Sequence, residues 1–319
     1  MFPDTVVPAH EPVVFRELAA HWPAVIAGKR GLGALAEYLR AMDNGTPVGV
    51  YHTGPARKGR FFYRNDMRTP DFGVEPVPLS RLLDELLARA DDPAPPALYA
   101  GSTPVSLNIP DFVSTNIAPL PVRDAEPRLW IGNASRIAPH YDVAHNLAVC
   151  VAGKRRFLLF PPEQIANLYV GPMENTLSGQ PISMVDPDAP DLTRHPRYAD
   201  ALTAAQATVL EPGDAIYIPT LWWHGVRADG PMNALVNYWF SSAPGGASFV
   251  ALMHSLLVLR DLPKGERESW FSFFRHLVFD EKAVDAGAHL PDHAKGVLGP
   301  PSPERDAFMR GEIRRALAE

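Results

Sequence analysis

Two short segments carry side chains that could do chemistry together. The first is His140-Tyr141-Asp142, near the head of IAPHYDVAHNLAVCVAGKRRFLLF, residues 137–160. Along an extended segment, residues two apart point the same way, so the His140 imidazole and the Asp142 carboxylate can reach one point. A second imidazole would complete two histidines and one carboxylate on one face of a metal ion. That set leaves positions open and suits non-haem Fe(II) oxygen chemistry. Alone the triplet is a weak signal, because the chain holds 11 histidines. The second segment is Leu221-Trp222-Trp223-His224, just past a strand-like stretch opened by Pro212-Gly213-Asp214. In a jelly roll, strands remote in sequence lie side by side, so His224 can close the set. His140, Asp142 and His224 are therefore the candidate metal ligands and catalytic residues.

The elements that must position them read as follows. Residues 12–15 form a short strand, and 18–21 a helical turn stopped by Pro23. Residues 33–42 carry apolar positions at helical spacing and end at Asn44-Gly45. Residues 47–51 and 60–63 look like strands, and 79–90 like an amphipathic helix with Ser80 as its N-cap. Strands follow at 97–101 and 128–132, around a loop-rich stretch with a short helix near Asp111. Residues 146–151 and 155–160 read as a hairpin turning at Ala152-Gly153-Lys154. Residues 163–208 form a long, proline-rich excursion over the mouth of a site. Pro212-Gly213 fits a type II turn before strand 215–218, and 234–240 is the last strand. From residue 249 the periodicity is helical. Strands in the middle and helices at the end indicate a mainly β fold, a double-stranded β-helix or jelly roll with an attached helical region. Three parts are expected: 1–96, strands and helices packing on the core; 97–242, the β-helix; 243–319, helical.

Composition narrows the partners. The 319 residues are 46% hydrophobic and 21% charged, ordinary for a globular chain with a sizeable core. The net charge of −6, with no basic run, argues against nucleic acid. A lone cysteine, Cys150, excludes an intrachain disulfide and fits a reducing, cytoplasmic setting. The N-terminal segment lacks a signal-peptide pattern, and no apolar run approaches the roughly 20 residues of a membrane helix.

Taken together, His-x-Asp, a segment ending in Phe160-Pro161-Pro162, Pro-Gly-Asp followed by Tyr217-Ile218-Pro219, and Trp222-Trp223-His224 resemble the JmjC-type, cupin-like 2-oxoglutarate oxygenases. The match runs over about residues 97–240. The resemblance implies Fe(II) held by His140, Asp142 and His224, and 2-oxoglutarate chelating that iron. It implies co-substrate contacts from Asn146, Asn237 and Tyr99. The family's lysine for the distal carboxylate is matched by Arg155, which can bind a carboxylate bidentately. A family hydroxyl residue is replaced by Ile137, removing one hydrogen bond. The activity implied is hydroxylation of a peptide or small-molecule C–H, with two subunits paired through the C-terminal helices. Trp222, Trp223 and Trp239 are candidate walls and indole donors. His145 is expected to be structural, Cys150 an inert buried thiol and Lys154 solvated. Trp270, Phe271, Phe273 and Phe274 are expected in a core or a dimer surface. Two alternatives stay open on the residues alone. One is a cupin-like metal hydrolase or dioxygenase that does not use 2-oxoglutarate, and the other a non-catalytic sugar- or ligand-binding jelly roll.

Overall fold

A computed structural model describes residues 2–122, 125–177, 179–241 and 248–317. The chain divides into two compact units, Met1–Gly246 and Ala247–Glu319. The boundary expected at 242–243 falls outside the described residues.

Among the described residues the first unit holds ten strands: β1 (Val13–Phe15), β2 (Val48–Thr53), β3 (Gly73–Val77), β4 (Ala97–Pro104), β5 (Pro127–Gly132), β6 (Ser135–His140), β7 (His145–Phe160), β8 (Gln206–Leu210), β9 (Ala215–Ile218) and β10 (Trp223–Phe240). They form one antiparallel sheet in the order β1-β9-β7-β10-β5-β4-β2-β3, with β6 on β10 and β8 on β7. Its backbone is the ribbon of β7 and β10, paired from Phe160 opposite Trp223 to His145 opposite Phe240.

That ribbon corrects the hairpin expected at 152–154. Residues 145–160 are one strand that bends and does not fold back on itself. Gly153 sits at φ +71°, and β10 bulges opposite it, its register shifting between Asp229 and Ala234. Positive φ is open to glycine at no steric cost, and a bulge bends a strand without ending it. A Cβ on Gly153 would run into the Asn233 side chain.

Alternation along the ribbon separates two cores, since successive residues face opposite sides. Leu147, Val149 and Val151 join Ala234, Val236 and Tyr238 on the outer face. There they pack against the helices Pro23–Arg30, Leu32–Arg40 and Leu79–Ala88 through Val25, Leu35, Leu39 and Leu82. Ala148, Cys150 and Leu235 turn inward with Phe157, Ile216 and Ile218. The inward face is where Asn146 and Asn237 also point, and the site is built there.

Several local expectations shift. Pro23 opens a helix as its first residue, where its missing N–H costs nothing. Ser80 lies inside the first turn of Leu79–Ala88 and does not cap it. Its N–H donates instead to the Asp43 carboxylate at 2.8 Å. Residues 60–63 make only isolated bridges, while β3, which was not expected, pairs with β2. The excursion is partly structured, with a 3-10 turn at Pro162–Asn167, a helix at Tyr198–Thr203 and bridges that tie Ile182 to His140 and Val170 to Ser183. Pro212-Gly213 is a turn as expected, with Gly213 at φ +105° and Asp214 N–H donating to Glu211 O at 2.9 Å.

In the second unit, helices Ser248–Val258, Lys264–Phe274 and Pro303–Leu317 are the main elements. No helix among the described residues is long and apolar enough to cross a membrane.

Candidate metal centre and its cavity

His140 ends β6 and His224 lies near the start of β10, directly opposite it in the antiparallel register. Their rings stand 4.4 Å apart, centre to centre. Asp142 lies two residues past the end of β6, in a short loop. Its carbonyl accepts the Leu221 N–H at 2.8 Å, which ties this loop to the turn that leads into β10. One ligand atom from each of His140, Asp142 and His224 lies within 4.8 Å of the other two, so the trio can hold a metal ion.

The surrounding hydrogen bonds set each group in the form a metal needs. His140 Nδ1 faces the carbonyl of Ala138 at 3.0 Å, and His224 Nδ1 that of Trp222 at 3.1 Å. A carbonyl only accepts, so both Nδ1 atoms carry the proton and both Nε2 lone pairs stay free. Burial, and then the neighbouring His140, push His224 down to about 4, so it is a neutral imidazole at physiological pH. The 3.6 Å approach of His224 Nε2 to Asp142 Oδ2 therefore marks a shared ligand position, not an ion pair. Asp142 Oδ2 accepts from Trp239 Nε1 at 2.9 Å and from Asn146 Nδ2 at 3.3 Å. Asn237 Nδ2 donates to Asn146 Oδ1 at 3.0 Å, and Trp130 Nε1 to Asn237 Oδ1 at 2.6 Å. The chain Trp130–Asn237–Asn146–Asp142 leaves the carboxylate one orientation.

The trio opens on a cavity of about 290 Å³ on the inward face of the sheet. Arg155 reaches into it from β7 and is only 2% exposed. Its Nη2 donates to Trp130 O at 3.1 Å, while its Nε is buried with no partner. Tyr99, from β4, lies beside Arg155 and is also buried; burial raises its hydroxyl above the usual range although Arg155 pulls the other way. No carboxylate pairs with Arg155 among the described residues. A buried guanidinium left in that state fits a site for an anion the chain does not itself supply.

The candidate residues are thus gathered: His140, Asp142, Asn146, Tyr99, Arg155, His224 and Asn237 all line one cavity. Ile137 lines it too, an apolar side chain in its wall. Trp239 lines it and donates to Asp142, but the other two tryptophans of the candidate wall lie elsewhere. Trp222 packs in the inner apolar cluster with its N–H on His10 O, and Trp223 packs against Tyr141. Trp130, Tyr51, Phe61 and Phe72 line the cavity and were not foreseen. The alternation of Arg128-Leu129-Trp130-Ile131 along a strand would have placed Trp130 on one face, but not on which face. His145 is held by the Tyr217 hydroxyl at 2.9 Å. Burial pushes the Cys150 thiol up to about 12, and Lys154 pairs with Glu211 at the surface.

Residues 1–246 match the cupin-like domain family, and the chain belongs to that family, the JmjC-type cupin-like oxygenases. Enzymes of this family use Fe(II) and 2-oxoglutarate. The chain is 30% identical to the human bifunctional peptidase and (3S)-lysyl hydroxylase JMJD7, over 74% of its own length and 79% of that protein. It is 26% identical to the Drosophila melanogaster Jumonji C domain-containing protein 5, over 72% of itself and 55% of the relative. With the Arabidopsis thaliana lysine-specific demethylase JMJ31 it shares 35% identity over 35% of this chain and 20% of that one. The chain therefore spans only part of the length of several relatives it matches.

Proposed function

We propose that the protein is an Fe(II)- and 2-oxoglutarate-dependent dioxygenase that hydroxylates an unactivated C–H bond of a peptide or small-molecule substrate. The observation that carries this reading is a single cavity holding both a His-Asp-His trio and a buried guanidinium with an unpartnered Nε. His140, Asp142 and His224 hold Fe(II). Arg155, with Tyr99 beside it, receives the distal carboxylate of 2-oxoglutarate. Asn146 and Asn237 fix the Asp142 carboxylate and face the co-substrate. When bound, iron and 2-oxoglutarate supply with dioxygen the oxidising power for C–H hydroxylation. The chain's own part is to orient, to exclude water with its apolar walls and to hold the ligand tautomers.

Relatives named as a lysyl hydroxylase and as demethylases support oxidation of a peptide or protein substrate. The net charge of −6 speaks against a nucleic-acid partner, and the lone cysteine for a reducing, cytoplasmic setting. Residues 1–96 brace the β-helix of 97–242, and 243–319 pair two copies into a homodimer. Leu257, Phe271, Phe273 and Phe279, each more than half exposed, would be covered in that pairing.

Reconstitution tests the enzymatic reading. Wild-type protein should retain one Fe(II) per chain after gel filtration and convert 2-oxoglutarate to succinate. Asp142→Ala, which removes the only anionic ligand, should lose both. Succinate release that persists in Asp142→Ala, or that never occurs, would reject it.

A further inference from the structure

Apart from the metal ligands and Arg155, the cavity is a mostly apolar chamber. Tyr51 from β2, Phe61 and Phe72 from the segment between β2 and β3, and Leu177 and Ile182 from the excursion wall it, with the Gln180 side chain among them. Gly101, on β4, interrupts that wall: a Cβ there would stand 3.3 Å from ring atoms of Tyr51, Tyr99 and Trp130 at once. The missing side chain lets these three aromatic rings close in over the strand, and any larger residue would push them into the cavity.

We infer that the substrate group entering this chamber is uncharged and apolar, an aromatic or branched aliphatic side chain, and that the ammonium of a lysine is rejected. This rests on the iron and 2-oxoglutarate reading and narrows it. Among the described residues lining the cavity, the acidic and basic side chains are His140, Asp142, His224 and Arg155. With the metal and the co-substrate in place their charges cancel. Two positive charges on iron and one on Arg155 meet one negative charge on Asp142 and two on the dicarboxylate. The loaded centre exerts no net pull on a cation, and Asp142 is already engaged by Trp239 and Asn146. An ammonium inside would be stripped of water with no carboxylate to receive it, at a high cost. Ring faces return less to an ammonium than its lost hydration costs, and part of their surface is turned to one another. Phe61 and Tyr99 stack at 5.9 Å, and Phe72 meets Tyr51 and Phe61 in T-shaped contacts at 5.3 and 5.5 Å. An apolar group, by contrast, gains from every wall it touches.

The test uses the full chain loaded with Mn(II), a paramagnetic ion that does not turn over, together with 2-oxoglutarate. The probes are N-acetyl-L-phenylalaninamide, N-acetyl-L-leucinamide and N-acetyl-L-lysinamide at millimolar concentration. Proton relaxation enhancement reports which of them comes close to the metal. The phenylalanine and leucine amides should be enhanced at least about tenfold more strongly bound than the lysine amide, about 1.4 kcal/mol. Gly101→Leu should abolish the enhancement while Mn(II) stays bound; Phe72→Ala, which enlarges the chamber, should favour the phenylalanine probe over the leucine one. Equal or stronger response from the lysine amide, or no response from either apolar amide, would overturn the inference. Failure of Mn(II) to bind, or binding that survives His140→Ala, would instead bring down the metal reading beneath it.

Discussion

Replacing Arg155 by methionine should act in opposite directions on ligand binding and on folding. In the free protein Arg155 is a 2% exposed cation with one carbonyl acceptor, Trp130 O at 3.1 Å, Tyr99 at its side and an unpartnered Nε. Its burial is a cost the rest of the fold carries. In the complex it meets a carboxylate, and two charge-assisted hydrogen bonds there contribute about 1.5–3 kcal/mol each. Allowing for water that takes over part of the carboxylate's bonding in the variant leaves a net loss of about 2–4 kcal/mol, a rise of about 30- to 700-fold in the Kd for 2-oxoglutarate. Methionine keeps most of the stem's packing, so metal-free Arg155→Met should melt at or above the wild-type temperature. Arg155→Lys should restore part of the affinity. Isothermal titration of 2-oxoglutarate into Mn(II)-loaded protein gives the first quantity, and thermal unfolding of the metal-free protein the second. An unchanged Kd, or a metal-free variant that melts many degrees lower, would show that Arg155 is a structural cation and that the co-substrate charge is met elsewhere.

Other expectations follow from the same contacts. Trp239→Phe removes the indole donor 2.9 Å from Asp142 and should weaken Fe(II) binding about tenfold or more, read by competition with a chelator, without unfolding the protein. Asp214 accepts the N–H groups of Glu17 and Glu211 and the Arg16 guanidinium, which outweigh the opposing effect of its burial and hold its carboxyl below the usual range. A carboxyl lowered in the folded state stabilises above its unfolded pKa of about 3.9, and that stabilisation is lost as pH falls through the folded value. Asp214→Asn should therefore cost about 1–3 kcal/mol at neutral pH, with the difference from wild type shrinking below about pH 4 in denaturant titrations. Gly153→Ala forces a side chain into positive φ against Asn233 and should destabilise the first unit by about 1–3 kcal/mol in urea unfolding. Cys150, buried and with its thiol pushed up to about 12, should resist thiol reagents at neutral pH until the chain is denatured.

What the residues alone revealed, and what they hid, divides along a physical line. The metal trio was legible because His-x-Asp, weak alone, stands with the Pro212-Gly213-Asp214 turn and Trp222-Trp223-His224, a combination more specific than any one of them. Arg155 was legible through the family resemblance, by its place two residues after Gly153. The ribbon was not, because a glycine in positive φ inside an apolar run has the same local signature whether the chain reverses or only bends. Only the partner strand β10 decides between them, and it lies far downstream. Trp222 and Trp223 precede a ligand yet do not line the cavity: Trp222 packs in the inner apolar cluster and Trp223 against Tyr141, partners that lie far away in sequence. The aromatic wall of the cavity was invisible for a similar reason. Tyr51, Phe61 and Phe72 are scattered through a turn-rich segment with no periodicity, and they meet only because β2 pairs with β4 beside Tyr99. Ser80 misled because a good capping residue stood two positions past the cap, where the Asp43 carboxylate already served.

The central claim is that His140, Asp142 and His224 hold iron beside a pocket for a chelating 2-oxo acid. Absorption spectroscopy under anaerobic conditions tests it most directly. Adding Fe(II) and then 2-oxoglutarate to the purified protein should raise the weak visible charge-transfer band of an iron-bound 2-oxo acid. That band should be absent in His140→Ala and require far more 2-oxoglutarate in Arg155→Met. A spectrum that stays flat in the wild-type protein, or a band that His140→Ala leaves intact, would contradict the account.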